Sequence, residues 1–274
     1  MAAPPPLPTA LLARLRFGAR AAADGVGFPF KHPELFGLVA LVLVCYGGVW
    51  LALLAVAARY DRQVVDWLVS PAGPQWWAQA LTAVATGAAY ALTWLAALIA
   101  AAALALPLCG PLLSLLADRV EHRYLGQTGP LPAWTTLLAE MGRGLVRGLT
   151  LALLLAIGNL LLWLAGSALS ALLPPVGALF GLVAGWTWQA LGAAAMTAGY
   201  VFENQRTTLA DQLATLQRHA AIWVGFGGLA LPMCWIPLGV PFAVTGATLL
   251  ALRLHLVGEL TMPARAPLPA VTPP

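Results

Sequence analysis

Charge is what this sequence has least of. Only 9% of its 274 residues are Asp, Glu, Lys or Arg, while 61% are hydrophobic and the mean hydropathy is +0.83. A soluble domain carries about 25% charged residues, so these charges cannot cover a globular surface, and intrinsic disorder is excluded on the same ground. Cysteine is scarce as well. Cys45, Cys109 and Cys234 stand apart with no CxxC spacing, which excludes a disulfide scaffold, a zinc knuckle and a redox pair and leaves them as packing residues. Lysine is nearly absent, Lys31 being the single one beside thirteen arginines. Short alternating apolar segments, the mark of a membrane β-barrel, are missing too.

What is present is long and apolar. About 20 apolar residues cross the hydrocarbon of a bilayer, and spans are expected at about 35–58, 76–106, 148–173 and 176–202. The fold class is therefore an all-α integral membrane protein with four long hydrophobic helices. A fifth apolar region, 221–252, is interrupted by Pro232, Pro237 and Pro241. It reads as a Pro-broken re-entrant hairpin or two half-helices, a form tolerated where protein or water lines the broken backbone. Pro107 and Pro111 predict a break after the second span. Pro174-Pro175 and an uncharged turn predict a tight hairpin of the third and fourth.

Two amphipathic interfacial helices are expected between the apolar runs. Over 112–125, Leu112, Leu113, Leu116, Val120 and Tyr124 share a face opposite Asp118, Arg119, Glu121, His122 and Arg123, and Gly126 and Gly129-Pro130 stop the helix. Over 204–220, Leu209, Leu213, Leu216 and Ala220 oppose Arg206, Asp211, Gln212 and Arg218. Gly177, Gly181 and Gly185 recur every four residues, the small-xxx-small spacing that lets helix backbones approach. On spacing alone, leucine at Gly181 is expected to separate two helices.

The expected organisation is a Pro-rich, basic cytoplasmic segment (1–34), one helical membrane domain (35–254) and a Pro-rich cytoplasmic tail (255–274). The start of the chain lacks the h-region and cleavage site of a signal peptide, and its arginines read as a basic, partly amphipathic helix on the inner leaflet. With the N-terminus cytoplasmic, Arg14, Arg16, Arg20, Lys31, Arg119, Arg123, Arg143, Arg147, Arg206, Arg218, Arg253 and Arg265 fall inside, and Arg59 and Arg62 outside. Twelve against two orients the chain by the positive-inside rule, with both termini cytoplasmic.

Enzyme signatures are absent. His32, His122, His219 and His255 are scattered, so no HExxH or other local metal cluster forms, and no P-loop or GxSxG occurs. The GFGG of residues 225–228 follows no strand, and Asp118 with Glu121 reads as a polar helix face rather than a catalytic dyad. No catalytic, metal or cofactor-binding residue is expected, and no nucleic-acid partner. The informative features are the helix breaks, because transporters place substrates at the ends of discontinuous helices. The candidates are the two proline breaks and the Lys31-His32-Pro33 head of the first span.

Two blocks then carry a resemblance. GPLLSLLADRVEHRYLG (110–126) resembles the signature that follows the second long helix in the CysZ-type sulfate permease family, which includes the etoposide-induced protein 2.4 of eukaryotes. The stretch 200–250 resembles that family's C-terminal signature, with Glu203-Asn204, Ile236-Pro237, Pro241, Ala243-Val244 and Gly246-Ala247-Thr248 in step. The resemblance implies a protein of the bacterial inner membrane with spanning helices mixed with partly penetrating ones, a homo-oligomer, and uptake of sulfate or another small anion for sulfur assimilation. It also implies a Gly-apolar-Arg anion motif after the proline that precedes the first long helix. Here that position reads HPELFG (32–37), with Glu34 and no arginine. Lys31 and His32 are accordingly the expected substrate-binding residues. A non-transporting adaptor or an envelope- or lipid-associated protein is the alternative reading.

Overall fold

The structure is a computed structural model that describes residues 7–69, 75–126, 134–235, 237–258 and 260. The expected Pro-rich start (1–6) and tail (261–274), the Gly129-Pro130 stop and Ile236 lie outside these residues, as does the side chain of Arg143. Every regular element described is helical: α1 (Leu11–Lys31), α2 (Pro33–Leu68), α3 (Trp76–Tyr124), α4 (Trp134–Leu172), α5 (Pro174–Asn204), α6 (Leu209–Arg218), α7 (Ala220–Trp235) and α8 (Val240–Leu256). A 3₁₀ turn, Pro237–Gly239, joins the last two. Three segments among the described residues are long and apolar enough to cross a bilayer, Pro33–Leu68, Val146–Leu172 and Pro174–Asn204. The remaining expected span, 76–106, lies on α3, where the side chains of residues 95, 96 and 98–107 are outside the description.

The chain divides into two compact units, Leu41–Cys109 and the rest, Met1–Ala40 with Gly110–Pro274. Within the first, Val42, Tyr46, Val65 and Ala78 are buried, whereas Leu51, Leu81, Val84, Trp67 and Trp76 are exposed. Apolar side chains on an outer surface are at home against lipid, and indoles near helix ends suit the membrane–water interface.

The second unit is built around α8. Its buried residues include Ala243, Val244, Ala247, Leu250, Leu252 and Leu254, so it is apolar around most of its circumference, as a central helix must be. Thr245 and Thr248 sit there at no cost in unpaired hydroxyls, because each donates to the carbonyl four residues back, Pro241 and Val244, at 2.9 Å. Against α7 and α8 packs α1, through Gly18, Ala21, Ala22 and Gly25. Asp24 pairs with Arg253 at 2.6 Å across the α1–α8 contact. The basic N-terminal helix is thus a packed element of this unit, held by its small-residue face.

Prolines act differently at each expected break. Helix α3 runs unbroken through Pro107 and Pro111, correcting the interruption expected there, and 112–125 is its polar C-terminal end rather than a separate helix. A proline removes one backbone donor, and long apolar helices accommodate that loss by local adjustment. By contrast, α1 stops at Lys31 because His32 precedes a proline and is extended (φ −132°, ψ 91°). Pro33 then opens α2, and Pro174 and Pro175 open α5 after the single linking residue Leu173, making the expected tight hairpin. The polar helix after α5 is α6, capped by Thr208, whose hydroxyl accepts from the Asp211 amide at 3.1 Å.

The glycine stripe of α5 is not uniform. A Cβ at Gly177 would strike the Ser170 backbone of α4, but Gly181 and Gly185 have nothing within 4 Å of theirs. Spacing puts the three on one stripe, but only at Gly177 would a Cβ strike α4; the Gly181 Cα lies 4.0 Å from where a Gly166 Cβ would stand, with its own Cβ position directed into open space. Gly177→Leu should therefore lower the melting temperature in detergent by several degrees, through an overpacking cost of about 1–3 kcal/mol. Gly181→Leu should leave it unchanged or slightly raised, since leucine has the better helix propensity. A larger loss at Gly181 than at Gly177 would refute this packing.

Candidate functional site at the head of the first long helix

The corner between α1 and α2 gathers four ionisable side chains from three helices. His32 follows the last turn of α1, and its ring lies 4.5 Å from that of Phe28. Glu34 stands in the first turn of α2, where a carboxylate is favoured by the helix dipole. Arg123, in the last turn of α3, reaches both: its Nε donates to His32 Nδ1 at 3.0 Å and lies 3.1 Å from Glu34 Oε1. An arginine only donates, so His32 Nδ1 is the acceptor of this bond. Lys31 is exposed and has no partner among the described residues. Phe30 packs on Phe36 of α2 and stacks on Phe242 of α8, with ring centroids 5.6 and 6.0 Å apart, which fixes the corner from below.

Two cations and one carboxylate leave this corner with one net positive charge. The Arg123–Glu34 pair is exposed, the two side chains retaining 50% and 60% of their accessible surface. Exposed ion pairs contribute about 1 kcal/mol or less, so an incoming anion can compete with Glu34 for the guanidinium. Lys31 and His32, the expected site residues, do lie together. The sequence shows Arg123 only as part of a polar helix face and as a positive-inside charge. A partner 91 positions away in the chain leaves no local signal.

A second polar cluster ties together α3, α4, α5 and α6. Arg147 donates from Nε and Nη2 to Gln212 Oε1 (3.0 and 2.5 Å) and from Nη1 to the Thr207 carbonyl (3.1 Å). Gln212 is fully buried and its Nε2 donates to the Ala195 carbonyl at 2.7 Å. This corrects its expected place on the polar side of α6: the amide faces inward because both of its ends find partners there. Nearby, Ser114 and Asn204 exchange two bonds, Ser114 Oγ to Asn204 Oδ1 (2.5 Å) and Asn204 Nδ2 to the Ser114 carbonyl (2.9 Å). These bonds join the two signature blocks read from the sequence, and they give Asn204 a structural task.

The long apolar helices with their lipid-suited surfaces define an all-α membrane protein. The sequence family described as sulfate transporter CysZ/etoposide-induced protein 2.4 matches residues 21–244, and the chain belongs to it. The match spans the α1–α2 corner and the Arg147–Gln212 cluster alike. A search among curated proteins finds no match to the chain.

Proposed function

We propose that this protein is a permease for sulfate or another small anion in the inner membrane of a bacterium, supplying sulfur assimilation. The carrying observation is the guanidinium of Arg123 at the head of α2, in a chain of the sulfate transporter family. The family motif places an arginine near the head of this helix, and here the end of α3 supplies one. The corner lies on the cytoplasmic side in this reading, where Lys31 draws the anion as an exposed point charge. The anion then takes the place of the Glu34 carboxylate on Arg123, whose planar fork matches two oxygens of a tetrahedral oxyanion. Glu34 acts as an internal counter-ion that holds Arg123 in place between substrates. Both termini are cytoplasmic in this reading, and the protein works as a homo-oligomer within the bilayer.

Radiolabelled sulfate uptake into proteoliposomes containing the purified protein tests this. Lys31→Ala and Arg123→Gln should each abolish uptake, and Glu34→Arg should increase it by adding a cation and removing the competitor. If the unaltered protein shows no flux, and Glu34→Arg creates neither flux nor sulfate binding, the permease reading gives way to the adaptor one. Orientation is tested separately. Reporters after Pro274 and after Arg143 should read cytoplasmic, and one within residues 61–74 should read periplasmic, because the basic residues divide twelve to two. A cytoplasmic 61–74 loop would overturn the orientation.

A further inference from the structure

Away from the corner, α1, α5 and α7 enclose a groove of ≈ 670 Å³. That volume falls in the range of about 300–1,000 Å³ typical of ligand sites. Leu15 and Ala19 of α1, Leu182 and Trp186 of α5 and Val224 of α7 form its walls. Gly228 of α7 lets the Trp186 indole lie against it, since a Cβ there would meet the indole ring. Two lining side chains are polar. Thr187 spends its hydroxyl on the Val183 carbonyl at 2.8 Å. Arg16 is exposed and has no partner among the described residues. The groove thus presents apolar walls and one uncommitted guanidinium. Leu15, Arg16 and Ala19 precede the residues matched to the family, 21–244, so the α1 wall that carries the guanidinium lies outside that match.

We propose that this groove binds one anionic phospholipid, with an acyl chain along the Leu182–Trp186 wall and the phosphodiester on Arg16. The charge pattern selects this occupant. A free anion would gain one cation and at most the Trp186 indole N–H, and would be desolvated against walls that are otherwise apolar. A zwitterionic lipid fills the walls equally well but brings its own cation beside Arg16. An anionic headgroup gains both terms, because a basic residue near an anionic lipid surface contributes about 1 kcal/mol. Such a lipid bridges α1 to α5 and α7 by contact with all three. This binding is independent of anion transport.

Native mass spectrometry of the full-length protein in detergent tests it, with dioleoyl phosphatidylglycerol and dioleoyl phosphatidylcholine titrated separately. Phosphatidylglycerol adducts should form at about fivefold lower lipid concentration than phosphatidylcholine adducts, the equivalent of that 1 kcal/mol. Arg16→Gln should erase the preference while leaving phosphatidylcholine binding unchanged. Arg20→Gln, an exposed arginine of the same helix outside the groove lining, should keep it. Leu182→Trp, which fills the groove, should weaken both lipids. Melting temperatures of the three variants should match the parent, showing that binding and not folding has changed. Equal binding of the two lipids by the parent, or an Arg16→Gln effect no larger than that of Arg20→Gln, overturns the proposal. So does displacement of phosphatidylglycerol by millimolar inorganic phosphate, which would make the ligand a free anion. A Leu182→Trp protein that keeps its lipid but loses self-association would assign the groove to a second copy of the chain instead.

Discussion

Leucine in place of Gly25 should destabilise the protein by about 3 kcal/mol or more, because overpacking costs of about 1–3 kcal/mol set only the lower bound at this crossing. A Cβ at Gly25 would stand 2.5 Å from the Gly246 Cα and 2.6 Å from the Phe242 carbonyl oxygen, and one at Gly246 would stand 2.9 Å from the Ala21 carbonyl oxygen. Both helices meet backbone to backbone here. No flexible side chain can swing aside, so α1 must move off α8. The Asp24–Arg253 pair beside the crossing would be drawn apart with it. Thermal denaturation in detergent, followed by size-exclusion chromatography, checks this. Gly27→Leu is the control, because nothing lies within 4 Å of a Cβ there. Equal losses at the two positions would show that any bulky substitution in α1 is harmful and that the crossing is not special.

Gln212→Leu should cost about 3 kcal/mol, at the upper end of the roughly 1.5–3 kcal/mol contributed by hydrogen bonds to charged groups, because it removes both Arg147 bonds and the bond to Ala195 together. The leucine keeps most of the volume but removes the acceptor of two Arg147 bonds and the donor to the Ala195 carbonyl. The cost goes no higher because Arg147 is only half-buried and keeps the Thr207 carbonyl. Adding Arg147→Leu to Gln212→Leu should recover part of the loss, since the guanidinium left without its acceptor is removed, and the recovery stays partial because Glu203, which faces Arg147, loses a counter-charge. A double-mutant cycle on melting temperature reads the coupling. Strictly additive losses would mean that Gln212 acts only by filling space.

Several features are legible without any fold, because they depend on neighbours along the chain. Length and hydropathy identify the membrane class, and helical periodicity identifies the polar end of α3 and the whole of α6. Pro174-Pro175 marks the hairpin, and the two signature blocks point to the family that spans 21–244. Local rules also err where the surroundings outweigh them. A proline predicts a broken helix, yet α3 continues through Pro107 and Pro111.

The rest waited for the tertiary structure. Spacing shows that Gly177, Gly181 and Gly185 share a stripe, but the rotation of α5 about its axis decides that only Gly177 meets a backbone. Composition makes Arg16, Arg123 and Arg147 three similar positive-inside charges. Packing gives one an apolar groove, one a carboxylate and a histidine from across the chain, and one a buried amide. The sequence by itself determined an all-α membrane protein, because apolar length and local periodicity are properties of contiguous residues, and its two signature blocks carried the resemblance to the CysZ/etoposide-induced protein 2.4 family. Only the tertiary structure decided which arginine stands at the head of α2 and which glycines hold helices together. Those facts depend on the relative positions of helices far apart along the chain, for which no short-range pattern exists.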